Sequence, residues 1–187
     1  MIVVDIPPTS VGTTACSMRE AFDRVFDVEA LRHVHGDDLI EVTPWRPRRR
    51  RGDGEKRTIV VAVPMDDLPQ DLRGVVATLV SGQAKSILVQ TKQTVDRSDP
   101  NATAWEVHNR VRIANLVGSD LLRAKPTFVL RRGDDGVVRL SGSVTHHATL
   151  PPPFHSTAER FMAQQTRVNL DKYIGYFDHF SLAPRMT

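Results

Sequence analysis

The longest helical pattern in the chain, Phe154 to Phe177, constrains the fold more than any other stretch. It follows three consecutive prolines and contains no proline and a single glycine, Gly175. At ~1.5 Å per residue this helix is a rod of ~35 Å, and Ser156 with Glu159 has the capping-box spacing expected at its start. Its apolar side comprises Phe154, Ala158, Phe161, Met162, Val168 and Tyr173, interrupted by the polar residues Gln165 and Asn169. Such a helix needs a broad apolar surface to lie on.

The preceding chain supplies that surface as strands of period two. The alternation is clearest over Thr103 to Ile113 and Val137 to Leu150. The inward faces of these two strands hold Trp105, Val107, Asn109, Val111, Ile113, Val138, Leu140, Gly142, Val144, His146 and Ala148. Further strands are predicted at Met1–Ile6, Asp38–Trp45, Arg57–Val63, Ser86–Asp96 and Thr127–Arg132, with irregular chain over 7–14 and 115–125. The prediction is therefore an α+β fold, in which a curved antiparallel sheet of about six to seven strands wraps around the long C-terminal helix.

Two further helical segments are predicted. Ser17 and Glu20 form a second capping box, and a helix should run from Met18 to His35 with a break near Asp27. The stretch from Asp66 to Lys85 has helical spacing but two glycines, which predicts a short helix. Its apolar residues form either a lid over a cavity or an ordinary packed face: Leu72, Val75, Val76, Leu79 and Val80.

Length and composition favour one soluble domain. The 187 residues suit a single unit, 1–187, whose core spans about 17–177 between flexible ends, and 40% of them are hydrophobic. No apolar run approaches the ~18 residues of a membrane span, and the single cysteine, Cys16, excludes an internal disulfide. An intracellular, cytoplasmic protein is expected.

The positive charge is concentrated in one connection. Between Arg46 and Arg57 there are seven Lys/Arg and two acidic residues, including the run Arg48, Arg49, Arg50 and Arg51. This run is either a solvated hairpin tip or a contact for an anionic membrane surface, where each basic residue contributes ~1 kcal/mol. Because no recognition motif accompanies it, nucleic acid is not an expected partner.

Polar residues on apolar faces are the candidates for ligand contact. Asn109, His146, Gln165 and Asn169 either hydrogen-bond a ligand in a cavity or pair with each other and the backbone, since unpaired burial costs ~1–3 kcal/mol. Their apolar neighbours would line that cavity or fill a core: Trp105, Val107, Val111, Leu140, Val144, Phe161, Met162 and Val168.

No motif predicts a metal, a cofactor or catalytic residues. His33 and His35 diverge on a helix, and His146 and His147 face opposite sides of a strand. Neither a nucleophile elbow nor a glycine-rich phosphate loop occurs.

The order of elements and several residues resemble the VASt domain, a member of the START-like helix-grip superfamily. The resemblance is strongest at Asp38 to Pro47 (DLIEVTPWRP), which contains a Thr-Pro-Trp element. It extends from Ala21-Phe22 in the first helix, through Lys56-Arg57 and Thr91-Lys92-Gln93, and covers roughly Ser17 to Phe177.

The resemblance implies a cavity between sheet and helix that holds a sterol or similar lipid. It also implies carriage of that lipid between membranes, with a peripheral location at membrane contact sites. The GRAM domain and membrane anchor usual in that family are not seen here, so either a freely soluble carrier or one tethered by a partner protein is expected. Two alternatives are an enzyme of the cyclase or hydrolase type using a cavity histidine such as His146, and a closed-core interaction module without a cavity.

Overall fold

The computed structural model describes residues 1–48, 54–80, 85–99, 101–115, 122–152 and 154–181. Four α-helices occur in these ranges: α1 (Met18–Val25), α2 (Val28–His35), α3 (Gln70–Leu79) and α4 (Phe154–Ser181). The strands of the same ranges are β1 (Ile2–Gly12), β2 (Leu39–Val42), β3 (Arg46–Pro47), β4 (Glu55–Pro64), β5 (Ser86–Val95), β6 (Ala104–Ile113), β7 (Leu122–Arg132) and β8 (Val138–Ala148).

The strands form one antiparallel sheet. Its order is β1-β8-β7-β6-β5-β4-β2, and the short β3 pairs with β4. The described residues thus contain eight strands, compared with the six to seven predicted, and the extra strand is the two-residue β3. The predicted α+β fold, a large antiparallel sheet with a long C-terminal helix, is confirmed.

Helix α4 packs against β1, β8, α2 and α3. The predicted capping box at its start is wrong: the helix begins at Phe154, so Ser156 lies within the first turn. The Glu159 carboxylate instead accepts a hydrogen bond from the Ala148 N–H and pairs with the Met1 ammonium. Burial opposes the charge of Glu159, but these partners outweigh it and hold its pKa below the usual value. Glu159 therefore ties α4 to the sheet.

Two strands extend into chain that was predicted to be irregular. β1 continues past Ile6 to Gly12 because a register shift against β8 accommodates Pro7 and Pro8 on this edge strand. β7 begins at Leu122, before the predicted Thr127, and runs through Pro126. Proline has no N–H for a ladder, and the Pro126 carbonyl accepts a hydrogen bond from the Asn109 side chain instead.

The paired helices α1 and α2 close one end of the sheet. Ser17 and Glu20 form the predicted capping box, and Asp27 caps α2 where the helix was expected to break. Phe22 of α1 is fully buried, with ring centroids 5.8 Å from Trp105 and 5.4 Å from Trp45. This end of the molecule is therefore a filled aromatic core.

Candidate ligand-binding site

A cavity of about 500 Å³ lies between the inner face of the sheet and α4. Small-molecule sites typically measure ~300–1,000 Å³, so the space suits one ligand of moderate size. Its wall is mainly apolar, and it is contributed by β4 to β8 together with α2, α3 and α4. Along β4 it runs from Arg57 to Pro64, a distance of ~20 Å at ~3.3 Å per residue.

One row of the sheet forms a polar band across this wall. Arg57 of β4 pairs in register with Gln93 of β5, which pairs with Asn109 of β6. The Arg57 Nε donates to Gln93 Oε1 at 2.5 Å, and Gln93 Nε2 donates to Asn109 Oδ1 at 2.7 Å. Asn109 Nδ2 donates to the carbonyls of Val107 and Pro126. Both amide hydrogens of Asn109 are therefore bonded to the backbone, and its oxygen orients Gln93.

Arg57 ends this band as a buried cation. The residue is 4% exposed, and its Nη1 donates to the Phe26 carbonyl at 2.5 Å. Its guanidinium carbon lies 4.7 Å from the centroid of the Trp45 ring. The Nη2 is buried and makes no hydrogen bond within the described part of the chain. Burial lowers the pKa of Arg57 to about 10, which leaves it charged at neutral pH.

His146 is a second polar group of the cavity wall. It lies on the same face of the sheet as Arg57, but on β8, four strands away from β4. The neighbouring row runs Ile59, Thr91, Val111, Ala124, His146 from β4 to β8. His146 is 2% exposed, and its Nε2 lies 3.1 Å from the Thr166 hydroxyl of α4. Burial lowers its pKa, and its Nδ1 makes no hydrogen bond to any described residue. The imidazole of this cavity-lining residue is therefore neutral, and one of its nitrogens has no hydrogen-bond partner among the described residues.

Most of the predicted ligand contacts lie in this wall. They are Asn109, Val111, Leu140, Val144, His146, Phe161, Met162, Gln165, Val168 and Asn169. Trp105 and Val107 are the exceptions and lie in the closed core, because α1 packs over their end of β6. Their inward direction was predicted correctly, but the helix that fills the space in front of them was not considered.

Helix α3 covers the other end of the cavity. Leu72 and Val76 line the cavity directly. Val80 is buried in the adjoining apolar cluster, and Val75 and Leu79 are packed against that cluster. The helix is therefore well placed to act as the predicted lid, although only two of the five predicted lid residues line the cavity.

The other predicted features have simpler surroundings. Arg48 is exposed after β3, and the rest of the basic run, Arg49 to Arg51, lies outside the described residues. The described residues hold no cluster of three or more potential metal ligands. Within the same ranges, no helix combines the length and apolar content needed to cross a bilayer.

Sequence reasoning missed Arg57, Gln93 and Thr166 as parts of the site. Arg57 was counted with the basic connection, although it lies two residues before the inward-facing Ile59 on the same strand. That spacing was a usable signal for its inward direction. Thr166 had no comparable signal, because its importance depends on which residue of β8 faces it.

Comparisons with known proteins bear on the fold. No protein-family model and no curated protein match the chain. The Zhui aromatase/cyclase from Streptomyces sp. R1128 is similar over 97% of this chain and 94% of its own, with a TM-score of 0.50 and 8% identity. Ara h 8.0201 gives a TM-score of 0.43 at 12% identity, covering 95% of this chain and 99% of its own. The Mll3558 protein from Rhizobium loti gives 0.36 at 13%, covering 92% and 99%. At 8% identity, the likeness to the aromatase/cyclase shows the START-like helix-grip fold alone.

Proposed function

We propose that this chain binds one lipid of sterol size in the cavity and carries it between membranes. The observation that supports this most is an apolar cavity of about 500 Å³ with isolated, buried polar groups in its wall. A polar atom buried without a partner costs ~1–3 kcal/mol, so a ligand that supplies the partner recovers that free energy. A closed-core interaction module has no need for such an arrangement.

His146 is the residue we assign to a ligand hydroxyl. A neutral imidazole offers one donor and one acceptor nitrogen, and a hydroxyl can serve either. The Thr166 hydroxyl holds Nε2 at 3.1 Å, which fixes the ring and leaves Nδ1 for the ligand. A sterol bound in this way would place its hydroxyl against β8 and its apolar rings along the sheet.

Ligand exchange requires a moving element and a surface that meets the membrane. We assign the first role to α3, because Leu72 and Val76 cover the cavity with aliphatic side chains only. The second role falls to the basic run from Arg48 to Arg51, whose positive charge would attract anionic headgroups. The proposed site of action is peripheral, at an anionic membrane.

The binding prediction is that a fluorescent sterol such as dehydroergosterol binds saturably, with one sterol per chain. Energy transfer from Trp45 and Trp105 provides the readout, because the Trp45 ring lies 4.7 Å from the guanidinium of Arg57, a residue of the cavity wall. His146→Leu should weaken binding about tenfold by removing one hydrogen bond to the ligand. His108→Leu is the matched control, since His108 lies on the exposed face of β6.

Lack of saturable binding by the parent chain would reject this function. The same titration distinguishes a second candidate, an enzyme with His146 as general base, which its neutral, buried and unpaired nitrogen favours. A carrier returns the added ligand chemically unchanged in mass spectra. An enzyme returns a product, and the rate of its formation decreases when the pH is lowered below the pKa of His146.

A separate prediction concerns the membrane contact. Replacing Arg48, Arg49, Arg50 and Arg51 with alanine should reduce co-sedimentation with phosphatidylserine vesicles at least about tenfold. Phosphatidylcholine vesicles should show little binding in either case. A control that removes Arg110 and Arg131, which are exposed on the outer face of the sheet, should change little. Unchanged sedimentation of the quadruple variant would remove the basic run from the mechanism.

A further inference from the structure

The charge of Arg57 has no counter-ion in the described residues. Those ranges contain ion pairs of other arginines, such as Arg97 with Glu55, but none that includes Arg57. Its hydrogen-bond acceptors are the Phe26 carbonyl and the Gln93 amide oxygen, both neutral. A buried cation costs several kcal/mol unless it is paired. The aromatic ring of Trp45 at 4.7 Å compensates only part of that cost.

The acidic groups that interact electrostatically with Arg57 do not provide a buried negative charge to pair with it. Asp27 raises the pKa of Arg57 only as a lesser cause and is exposed at the N-cap of α2. Tyr173 donates its hydroxyl to the Val25 carbonyl, and burial raises its pKa, so it is neutral at pH 7. The carboxylates that line the cavity, Asp38 and Asp67, are both on the exposed surface.

The unpaired atom lies in a setting suited to an anion. Nη2 is the nitrogen of the guanidinium left over after Nε and Nη1 have bonded to the protein. Gln93, itself held by Asn109, fixes the guanidinium of this cavity-lining residue, so a carboxylate entering from the cavity would meet a preorganised donor. Arginine and a carboxylate form charge-assisted hydrogen bonds that are about twice as strong as neutral ones.

We propose that the ligand is an acidic amphiphile whose carboxylate pairs with Arg57 while its apolar body occupies the cavity. This inference rests on the proposed lipid-binding function and specifies the ligand class. The row of His146 neighbours the row of Arg57, and four strand spacings of ~4.8 Å separate the two residues along the sheet. An elongated hydroxy acid of sterol size can therefore place its carboxylate at Arg57 and its hydroxyl at His146 at the same time.

The test compares lithocholic acid with its methyl ester, which have the same rings and hydroxyl and differ in the negative charge. Both are titrated at pH 7.5 as competitors of Nile red, a neutral fluorescent probe bound in the cavity. For the parent chain the acid should compete about tenfold to one hundredfold more strongly than the ester. Arg57→Met should remove this preference by weakening the acid and leaving the ester within about threefold. Arg110→Met, on the exposed face of the same sheet, should retain it.

The outcomes separate this inference from the proposed function. If neither compound displaces Nile red but dehydroergosterol does, lipid binding stands and the assignment of an anionic ligand is overturned; if none of the three displaces it, the lipid-binding function itself fails. If acid and ester compete equally well, lipid binding stands and the assignment of an anionic ligand is overturned. The assignment is also overturned if a folded Arg57→Met variant keeps the preference for the acid. Should Arg57→Met fail to fold, the acid-to-ester ratio of the parent chain and of Arg57→Lys, which retains the charge and should keep part of the preference, decides the matter.

Discussion

Gly142→Ala should lower the stability of the protein by about 3 kcal/mol. A Cβ atom at this position would lie 2.0 Å from the Thr127 carbonyl oxygen and 3.1 Å from the Phe128 Cα. Both are backbone atoms of β7, so the β7–β8 ladder must shift to admit the methyl group. Gly142 also pairs with Ile6, after which the register of β1 against β8 shifts, so a displaced β8 would disturb its pairing on both sides.

Thermal unfolding measures this effect. For a chain of this size, ~3 kcal/mol corresponds to a melting temperature lowered by ~6–12 °C. Gly175→Ala is the matched control, because its Cβ would have no atom within 4 Å and it lies inside α4. Alanine is the better helix former by ~0.5–1 kcal/mol, so this variant should melt slightly higher than the parent. Equal melting temperatures for the two variants would contradict the close approach of the β7 backbone to Gly142.

Ala124→Phe should abolish ligand binding while the protein still folds. Ala124 is a buried residue of β7 that lines the cavity, and in register it lies between Val111 and His146. A phenyl ring at this position projects into the space that the ligand needs. We expect at least about a tenfold loss of affinity for dehydroergosterol. Filling a cavity often stabilises a protein by ~0.5–2 kcal/mol, so the melting temperature should hold or rise.

Lys125→Phe is the control for the same chemical change. Lys125 is the next residue of β7 and is exposed on the outer face of the sheet. Its variant should bind the sterol as the parent does. If Ala124→Phe binds as tightly as Lys125→Phe, the ligand does not occupy this cavity.

The regular parts of the fold were predictable because period and capping are local properties. The alternation of β6 and β8 predicted which side chains point inward, and nearly all of those are buried. Ser17 with Glu20 correctly marked the start of α1. Ser156 with Glu159 has the same spacing, yet Glu159 bonds to β8 and to Met1, which no local pattern reveals.

The cavity was less predictable, because it depends on which inward faces are covered by helices. Trp105 and Asn109 share one face of β6, but α1 packs on Trp105 while Asn109 faces the open space. The polar band depends in turn on the register of three strands, which places Arg57, Gln93 and Asn109 side by side. Strand register depends on residues far apart in the sequence and cannot be read from a local pattern. The start of β7 was also missed, because Pro126, which lies opposite Asn109, argues against a strand at that position.

The central claim is that the cavity holds one lipid, and native mass spectrometry of the purified chain tests it most directly. We expect one added mass per chain, lost on denaturation and identified after extraction as a lipid, and we expect it to be absent from Ala124→Phe. Lipid added back should bind to the parent chain and to Lys125→Phe with one molecule each. A parent chain that carries no lipid and takes none up, while its melting temperature matches that of Ala124→Phe, would contradict the account and favour a closed interaction module.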